Sequence, residues 1–149
     1  MGVQRVRFEV DTPASVESVW ETLQDYRTWS SWGPWDTSEV ERPGDTSPAG
    51  VGAIRRLGIG RRVLREETSL FEPMSEMRYR VLSGIPVSDY EGVVQVRSDG
   101  SATHITWSSS FRGKPSILGP LIRRSLQSQF PGIVRACAAA AEARDHVRR

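Results

Sequence analysis

A change of hydrophobic period at residue 113 constrains this chain more than any other feature. Before it, apolar residues alternate with polar ones in short runs separated by turn residues. After Gly113-Lys114-Pro115, Leu118, Ile122, Leu126, Phe130, Ile133, Cys137 and Ala141 recur at spacings of three and four. Period 2 makes a half-buried strand, and a period near 3.6 makes an amphipathic helix. An antiparallel sheet has an apolar face to bury, and only the C-terminal segment is long enough to cover it. The spacing predicts a helix over residues 117–144, about 40 Å long at the α-helical rise, lying across the sheet. Pro131 falls inside that helix and predicts a kink near residues 127–131, because proline removes one hydrogen bond and clashes one turn back.

The period-2 part begins with Val6, Phe8 and Val10 alternating with charged neighbours, a strand over 3–11. Asp11, Thr12 and Pro13 combine a capping side chain with a proline near the first helical position. Val16, Val19, Trp20 and Leu23 follow at helical spacing, so a helix is expected over 13–23, and a second short one over 26–31. Trp29, Trp32 and Trp35, with Gly33-Pro34 between the last two, mark a bend that packs inward. A strand over 36–41 and the loop RPGDTSPAG (42–50) come next, then strands over 51–58, 62–72, 76–83, 87–98 and 102–112. Gly58-Ile59-Gly60, Glu72-Pro73, Gly84-Ile85-Pro86 and Asp99-Gly100 punctuate them, the last as a two-residue hairpin turn. Successive hairpins give a meander. The expected architecture is an α+β grip: a curved antiparallel sheet of six to seven strands around one long C-terminal helix, with two short helices after the first strand. A strongly curved sheet encloses more volume than its side chains fill, so a cavity between sheet and helix is expected.

Composition removes other classes. The 149 residues fit a single domain, 38% of them hydrophobic and 26% charged, enough to bury a core without metal or disulfide staples. Cys137 is the only cysteine and there is no asparagine, which excludes an internal disulfide framework and any N-glycosylation sequon. Charges interrupt the opening MGVQRVRFEV, and no apolar run approaches the roughly 20 residues of a membrane span. A reduced, cytoplasmic protein without integral membrane association is expected. The net charge is +2, and Lys114 is the one lysine among twenty basic residues. Arginine-favouring codon usage is the expected reading of that bias, with phosphate binding as the alternative. The excess in the second half (Arg112, Lys114, Arg123, Arg124, Arg135, Arg144, Arg148, Arg149) reads as a solvated helix face. No nucleic-acid module is legible and the aromatics are not interleaved with these arginines, so no nucleic-acid partner is expected.

Against this layout, particular residues carry a resemblance. The stretch DTPASVESVWETLQDYRTWSSWGPW, with Pro13, Val19-Trp20, Leu23, Asp25, Trp29 and Trp32, resembles the opening of the START-like, Bet v 1-type (SRPBCC) superfamily. The branch it resembles is polyketide cyclase/dehydrase and lipid transport. Gly52, Glu66, Glu72-Pro73, Tyr79, Tyr90, the strand Thr103–Trp107 and Gly119-Pro120 continue it over essentially the whole chain. Pro131-Gly132 departs from the usual run of helix formers. The resemblance implies a helix-grip fold whose cavity holds a hydrophobic ligand such as a lipid, polyketide or quinone. It also implies that a minority of relatives are aromatases or cyclases.

Alternation assigns candidate cavity residues. On 102–112, Thr103, Ile105, Trp107, Ser109 and Phe111 share the inner face, while His104 points outward. Met77, Tyr79 and Val81 share a face of 76–83, and Tyr90, Val94 and Val96 one of 87–98. By alternation alone Tyr79, Tyr90 and Trp107 fill a core; with the resemblance they line a pocket offering hydroxyl and indole donors. Trp29, Trp32 and Trp35 either form the pocket mouth or pin the short helices to the sheet. Ile122, Leu126 and Phe130 face the core, some of them facing ligand. Glu66 matches a position often acidic in the family; buried, it needs a partner or a raised pKa. Strand 62–72, however, has apolar residues on both faces (Val63 and Phe71 against Leu64 and Leu70), and a carboxylate on such a strand belongs by default at the surface.

Other chemistries are not supported. Ser108, Ser109 and Ser110 with His104 and Asp89 lack a nucleophile elbow. Two histidines, His104 and His146, make no metal site. Gly58-Ile59-Gly60 lacks the third glycine and following helix of a dinucleotide loop, and no cofactor is expected. Cys137 lies on the apolar helix stripe as an inert core thiol. The function expected is non-catalytic binding or carriage of a hydrophobic small molecule by a monomer or homodimer. The alternative is a polyketide cyclase or aromatase using Tyr79, Tyr90 or Glu66.

Overall fold

The computed structural model describes residues 2–148. Seven antiparallel strands form one sheet: β1 (Gln4–Thr12), β2 (Thr37–Arg42), β3 (Ile54–Ile59), β4 (Arg62–Glu72), β5 (Glu76–Ser83), β6 (Val87–Asp99) and β7 (Ala102–Gly113). Their order is β1-β7-β6-β5-β4-β3-β2, so β2 to β7 are a meander and β1 closes onto its last strand. Helices α1 (Val16–Gln24) and α2 (Trp29–Trp32), joined by a 3-10 turn over Tyr26–Thr28, fill the gap between β1 and β2. Helix α3 (Gly119–Arg148) lies against the concave face. This is the helix-grip fold expected from the change of period.

Boundaries differ where local chemistry outweighs pattern. Helix α1 starts at Val16, later than expected, because Ser15 is its cap and accepts a hydrogen bond from the Ser18 amide. Thr12 stays in β1, where its Oγ1 binds Glu142 Oε2 at 2.7 Å. The last hairpin turns at Gly100-Ser101, one residue beyond the expected Asp99-Gly100, with Gly100 at φ +68° and Asp99 opposite Ala102. Helix α3 runs through Pro131 as one helix and continues to Arg148.

Strand β4 explains its own ambiguity. Its register with β5 shifts between Arg65 and Glu66 and again between Thr68 and Leu70. At the first the extra residue is Leu82 of β5, and at the second it is Ser69 of β4, which reverses which β4 side chains point inward. Glu66 and Thr68 are buried ahead of the second bulge, and beyond it Phe71 packs inward against Trp20 at 5.4 Å between ring centroids. Apolar residues of both parities therefore reach the inside.

The two halves of α3 do different work. Beyond Phe130, the buried Val134, Cys137, Ala138 and Ala141 seal the core, and burial pushes the Cys137 thiol up to about 12. Asp145 accepts hydrogen bonds from Ser15 and Ser18 of α1 at 2.9 Å each, holding that end in place. Before Phe130, Ile122 and Leu126 are only half-buried. That half spans a cavity.

On the outer face, His104 lies 2.6 Å from Asp11 Oδ1 and 2.8 Å from Glu9 Oε1. The hydrogen bond to Asp11, then that to Glu9, raises the His104 pKa, and the hydrogen bond to His104 lowers that of Glu9. The histidine's contribution to stability is complete below its unfolded pKa and is lost as pH rises through the raised folded value. The Glu9 contribution is present above its unfolded pKa and is lost as pH falls through the lowered folded value. His104→Gln should therefore flatten the fall in melting temperature from pH 6 to 8, by a small amount that shrinks in added salt. Melts of both proteins across that range check it; parallel curves would remove His104 as the source.

Candidate functional site

The cavity encloses about 580 Å³, within the range usual for small-molecule sites. Its walls come from every layer of the fold: Trp29 and Trp35 from the α1–β2 connection, Leu57 and Leu64 from β3 and β4, Tyr79, Tyr90 and Trp107 from β5 to β7, and Ile122, Leu126, Phe130 and Ile133 from α3. Glu66 is part of the lining. Its mouth lies between the β3–β4 turn, the β5–β6 turn and the start of α3, where the lining residues Ile59, Arg62, Pro86, Leu121, Ser125 and Gln129 are exposed.

Glu66 is not a surface carboxylate. It is 5% exposed and stands directly opposite Arg55 in the β3–β4 ladder. Arg55 is completely buried. Its Nε and Nη2 both approach Glu66 Oε1, at 2.9 and 2.7 Å. Among the described residues no hydrogen bond is made to the other carboxylate oxygen, Oε2. Burial pushes the Glu66 carboxyl above the usual carboxylate range, and the Arg55 guanidinium pulls against that by its charge and its hydrogen bond. Arginine stays protonated throughout.

Three rings surround the guanidinium. Arg55 Cζ lies 4.7, 4.3 and 4.5 Å from the ring centroids of Tyr26, Trp29 and Tyr79, all within cation–π reach. Each ring is fixed in turn. The Tyr26 hydroxyl is within hydrogen-bond distance of Ala49 O, Thr68 Oγ1 and Met77 Sδ. The Trp29 indole donates to Leu23 O at 3.0 Å, and the Trp107 indole donates to the Tyr79 hydroxyl at 3.0 Å. Tyr79 lies over Gly92, where a Cβ would fall 2.1 Å from its Cζ. Tyr90 stacks on Phe111, ring centroids 5.6 Å apart. Burial raises the pKa of both Tyr79 and Tyr90, so at neutral pH they are hydrogen-bond donors and not bases.

Of the residues picked from sequence, Trp29, Glu66, Tyr79, Tyr90, Trp107, Ile122, Leu126 and Phe130 all border the cavity. Trp32 does not. It leans on Trp29 and Trp35, at 5.5 and 5.8 Å between centroids, and faces a separate hollow beside Ala136, Ala139 and Ala140 of α3. The single turn of α2 carries it past the cavity wall. Neither do the tryptophans make the mouth, because Trp29 is 1% exposed and sits at the inner end beside Arg55. Sequence reasoning passed over Arg55 and Tyr26. Among the described residues no group of three or more histidine, cysteine or acidic side chains is placed to hold a metal ion. Among the described residues no helix is long and apolar enough to cross a membrane.

Comparison with known proteins agrees with this fold. A family model described as polyketide cyclase / dehydrase and lipid transport matches residues 3–144. No curated protein matches the sequence. Among solved structures, a START superfamily protein from Mycobacterium smegmatis superposes with TM-score 0.79 at 14% identity, covering 94% of this chain and 98% of its own. The Zhui aromatase/cyclase from Streptomyces sp. R1128 gives 0.79 at 17% identity, with 96% of each chain covered. Norcoclaurine synthase from Thalictrum flavum, in complex with dopamine and hydroxybenzaldehyde, gives 0.69 at 16% identity over 93% of this chain and 86% of its own.

Proposed function

The chain belongs to the polyketide cyclase / dehydrase and lipid transport family, and on that premise we propose that it holds and carries an apolar small molecule bearing a hydroxyl group. The molecule is of lipid, polyketide or quinone-like class. It lies between sheet and α3 with its polar end at Glu66, and the chain acts as one cytoplasmic domain, a monomer or homodimer.

The observation that carries this reading is the distribution of polarity. Most of the cavity wall is apolar, and at its inner end Glu66, Tyr79 and Tyr90 meet. Glu66 Oε1 is taken by Arg55, which leaves Oε2 to accept a hydrogen bond, while the Tyr79 hydroxyl, already accepting from Trp107, has its proton to give. Because Arg55 neutralises Glu66, a neutral donor suits the site better than a cation, which would add an unbalanced charge to a desolvated end.

The test is a matched pair of probes, 2-naphthol and naphthalene, titrated against the purified protein. A hydrogen bond to a charged acceptor contributes about 1.5–3 kcal/mol. The expected preference for naphthol is therefore roughly 10- to 150-fold. Equal affinities would remove Glu66 as an anchor, and no uptake of either would overturn the carrier reading. A second reading, a polyketide cyclase or aromatase, draws on the same meeting of Glu66 with two phenols. A cyclisation rate on a linear poly-β-ketone thioester that fell on Tyr79→Phe and Tyr90→Phe would favour it.

A further inference from the structure

The mouth of the cavity gathers exposed apolar side chains and unpaired cations around one opening. Ile117 and Leu121, just before and inside the first turn of α3, are 69% and 65% exposed. Across the opening, Ile59 at the β3–β4 turn is 49% exposed. Single exposed apolar residues are ordinary, but these flank one opening, and Ile59 and Leu121 line it.

The charge around them is predominantly positive, although the Asp36 carboxylate accepts a hydrogen bond from the Gly60 amide at the β3–β4 turn, at 2.7 Å. Between Ala53 and Leu64, and again between Gly113 and Ile133, the sequence has no aspartate or glutamate. Those stretches carry Arg61 and Arg62 on one side of the mouth and Lys114 on the other, with Arg123 and Arg124 on the adjoining face of α3, and among the described residues none of the five is ion-paired. Arg123 and Arg124 share the turns of α3 that supply Leu121, Ile122 and Ser125 to the cavity. The Lys114 amide donates to Pro86 O at 2.9 Å, which ties that segment to the rim. Elsewhere some arginines find carboxylates, Arg42 with Glu67, Arg56 and Arg65 with Glu41, and Arg78 with Glu76 and Glu91, while others such as Arg5 stand without exposed apolar side chains around an opening.

We propose that this collar docks on an anionic lipid bilayer, so that the cavity opens directly onto the apolar phase from which its ligand comes or to which it goes. The proposal rests on the carrier reading above. Unpaired cations around exposed apolar side chains complement an anionic interface, where the first are attracted to headgroups and the second enter the acyl boundary. A bilayer fits better than an acidic protein partner because the apolar side chains stand singly around an opening and do not form a groove that a helix or strand could occupy.

The experiment is co-sedimentation with vesicles of phosphatidylcholine alone or with 30% phosphatidylglycerol, at low salt and at about 0.15 M salt, where the Debye length is about 8 Å. The protein is expected to partition onto the anionic vesicles, more weakly at the higher salt, and not onto neutral ones. Ile117→Glu and Arg61→Glu, neither at a residue lining the cavity, should each reduce partitioning at least about tenfold, while Arg5→Glu on β1 leaves it within about twofold. Melting curves of the three variants identify any that fail to fold. No partitioning onto anionic vesicles, or equal loss with Arg5→Glu, would overturn the proposal; binding to an acidic protein in place of vesicles would do the same. Naphthol uptake is measured separately. Uptake without docking leaves the carrier reading standing and removes the bilayer, and docking without uptake does the reverse.

Discussion

Glu66→Leu is expected to lower the stability of this protein by about 3–5 kcal/mol, the usual effect of removing one partner of a buried ion pair. The leucine itself would suit its apolar neighbours. The cost arises at Arg55, which is completely buried and keeps its charge with no other carboxylate among the described residues bound to it. For a chain of this length each kcal/mol corresponds to about 2–4 °C, so a fall in melting temperature of roughly 6–20 °C is expected. Pairing Glu66→Leu with Arg55→Met removes the stranded charge, and the double variant should recover most of the loss, since buried pairs replaced by apolar residues of similar volume are often neutral or stabilising. Denaturant unfolding of the two single variants and the double variant reads all three. A loss below about 1 kcal/mol for Glu66→Leu would mean that Arg55 reaches water in the altered protein.

That pair was within reach of the sequence. The β3–β4 hairpin turns at Gly60-Arg61 with Ile59 opposite Arg62, and counting outward from such a turn places Arg55 opposite Glu66. Ala53 and Leu57, two positions either side of Arg55, are buried apolar residues on the same face. Alternation by itself therefore points Arg55 inward; what hides it is the habit of assigning arginine to the surface, in a chain where nearly every basic residue is arginine. The meander and the long helix were legible for the opposite reason, because period 2 and period 3.6 each repeat over many residues and errors at the ends do not change the assignment. The bulges between β4 and β5, at Leu82 and Ser69, put no glycine or proline at the extra residue to mark them. They arise from fitting one strand to its neighbour, a tertiary property that local pattern does not carry. The same holds for Trp32. Three residues after Trp29 on a single helical turn, its direction depends on how that turn docks, and the sequence contains nothing that sets it.

The remaining part of the site, the rings around Arg55, makes the second large prediction. Trp29→Ala is expected to cost about 3–5 kcal/mol, as deletion of a buried tryptophan does. Trp29 is 1% exposed, touches the rings of Tyr26, Trp32, Trp35 and Trp107, and has the guanidinium 4.3 Å from its centroid. Packing alone would give that figure, so the single variant does not separate packing from attraction between ring and cation. A cycle does. If the aromatic faces make a buried guanidinium tolerable, Trp29→Ala should cost less by roughly 1–3 kcal/mol in the Arg55→Met, Glu66→Leu background than in the native one, as expected for groups in direct contact. A desolvated cation–π contact of about 2 kcal/mol lies inside that range. Equal costs in the two backgrounds would make the cage ordinary packing and would leave Glu66 alone to hold the charge. A coupling of the expected size would mean that the carboxylate need not satisfy the guanidinium by itself. Arg55 can then place Nε and Nη2 both at Glu66 Oε1, and Oε2 stays free for a ligand.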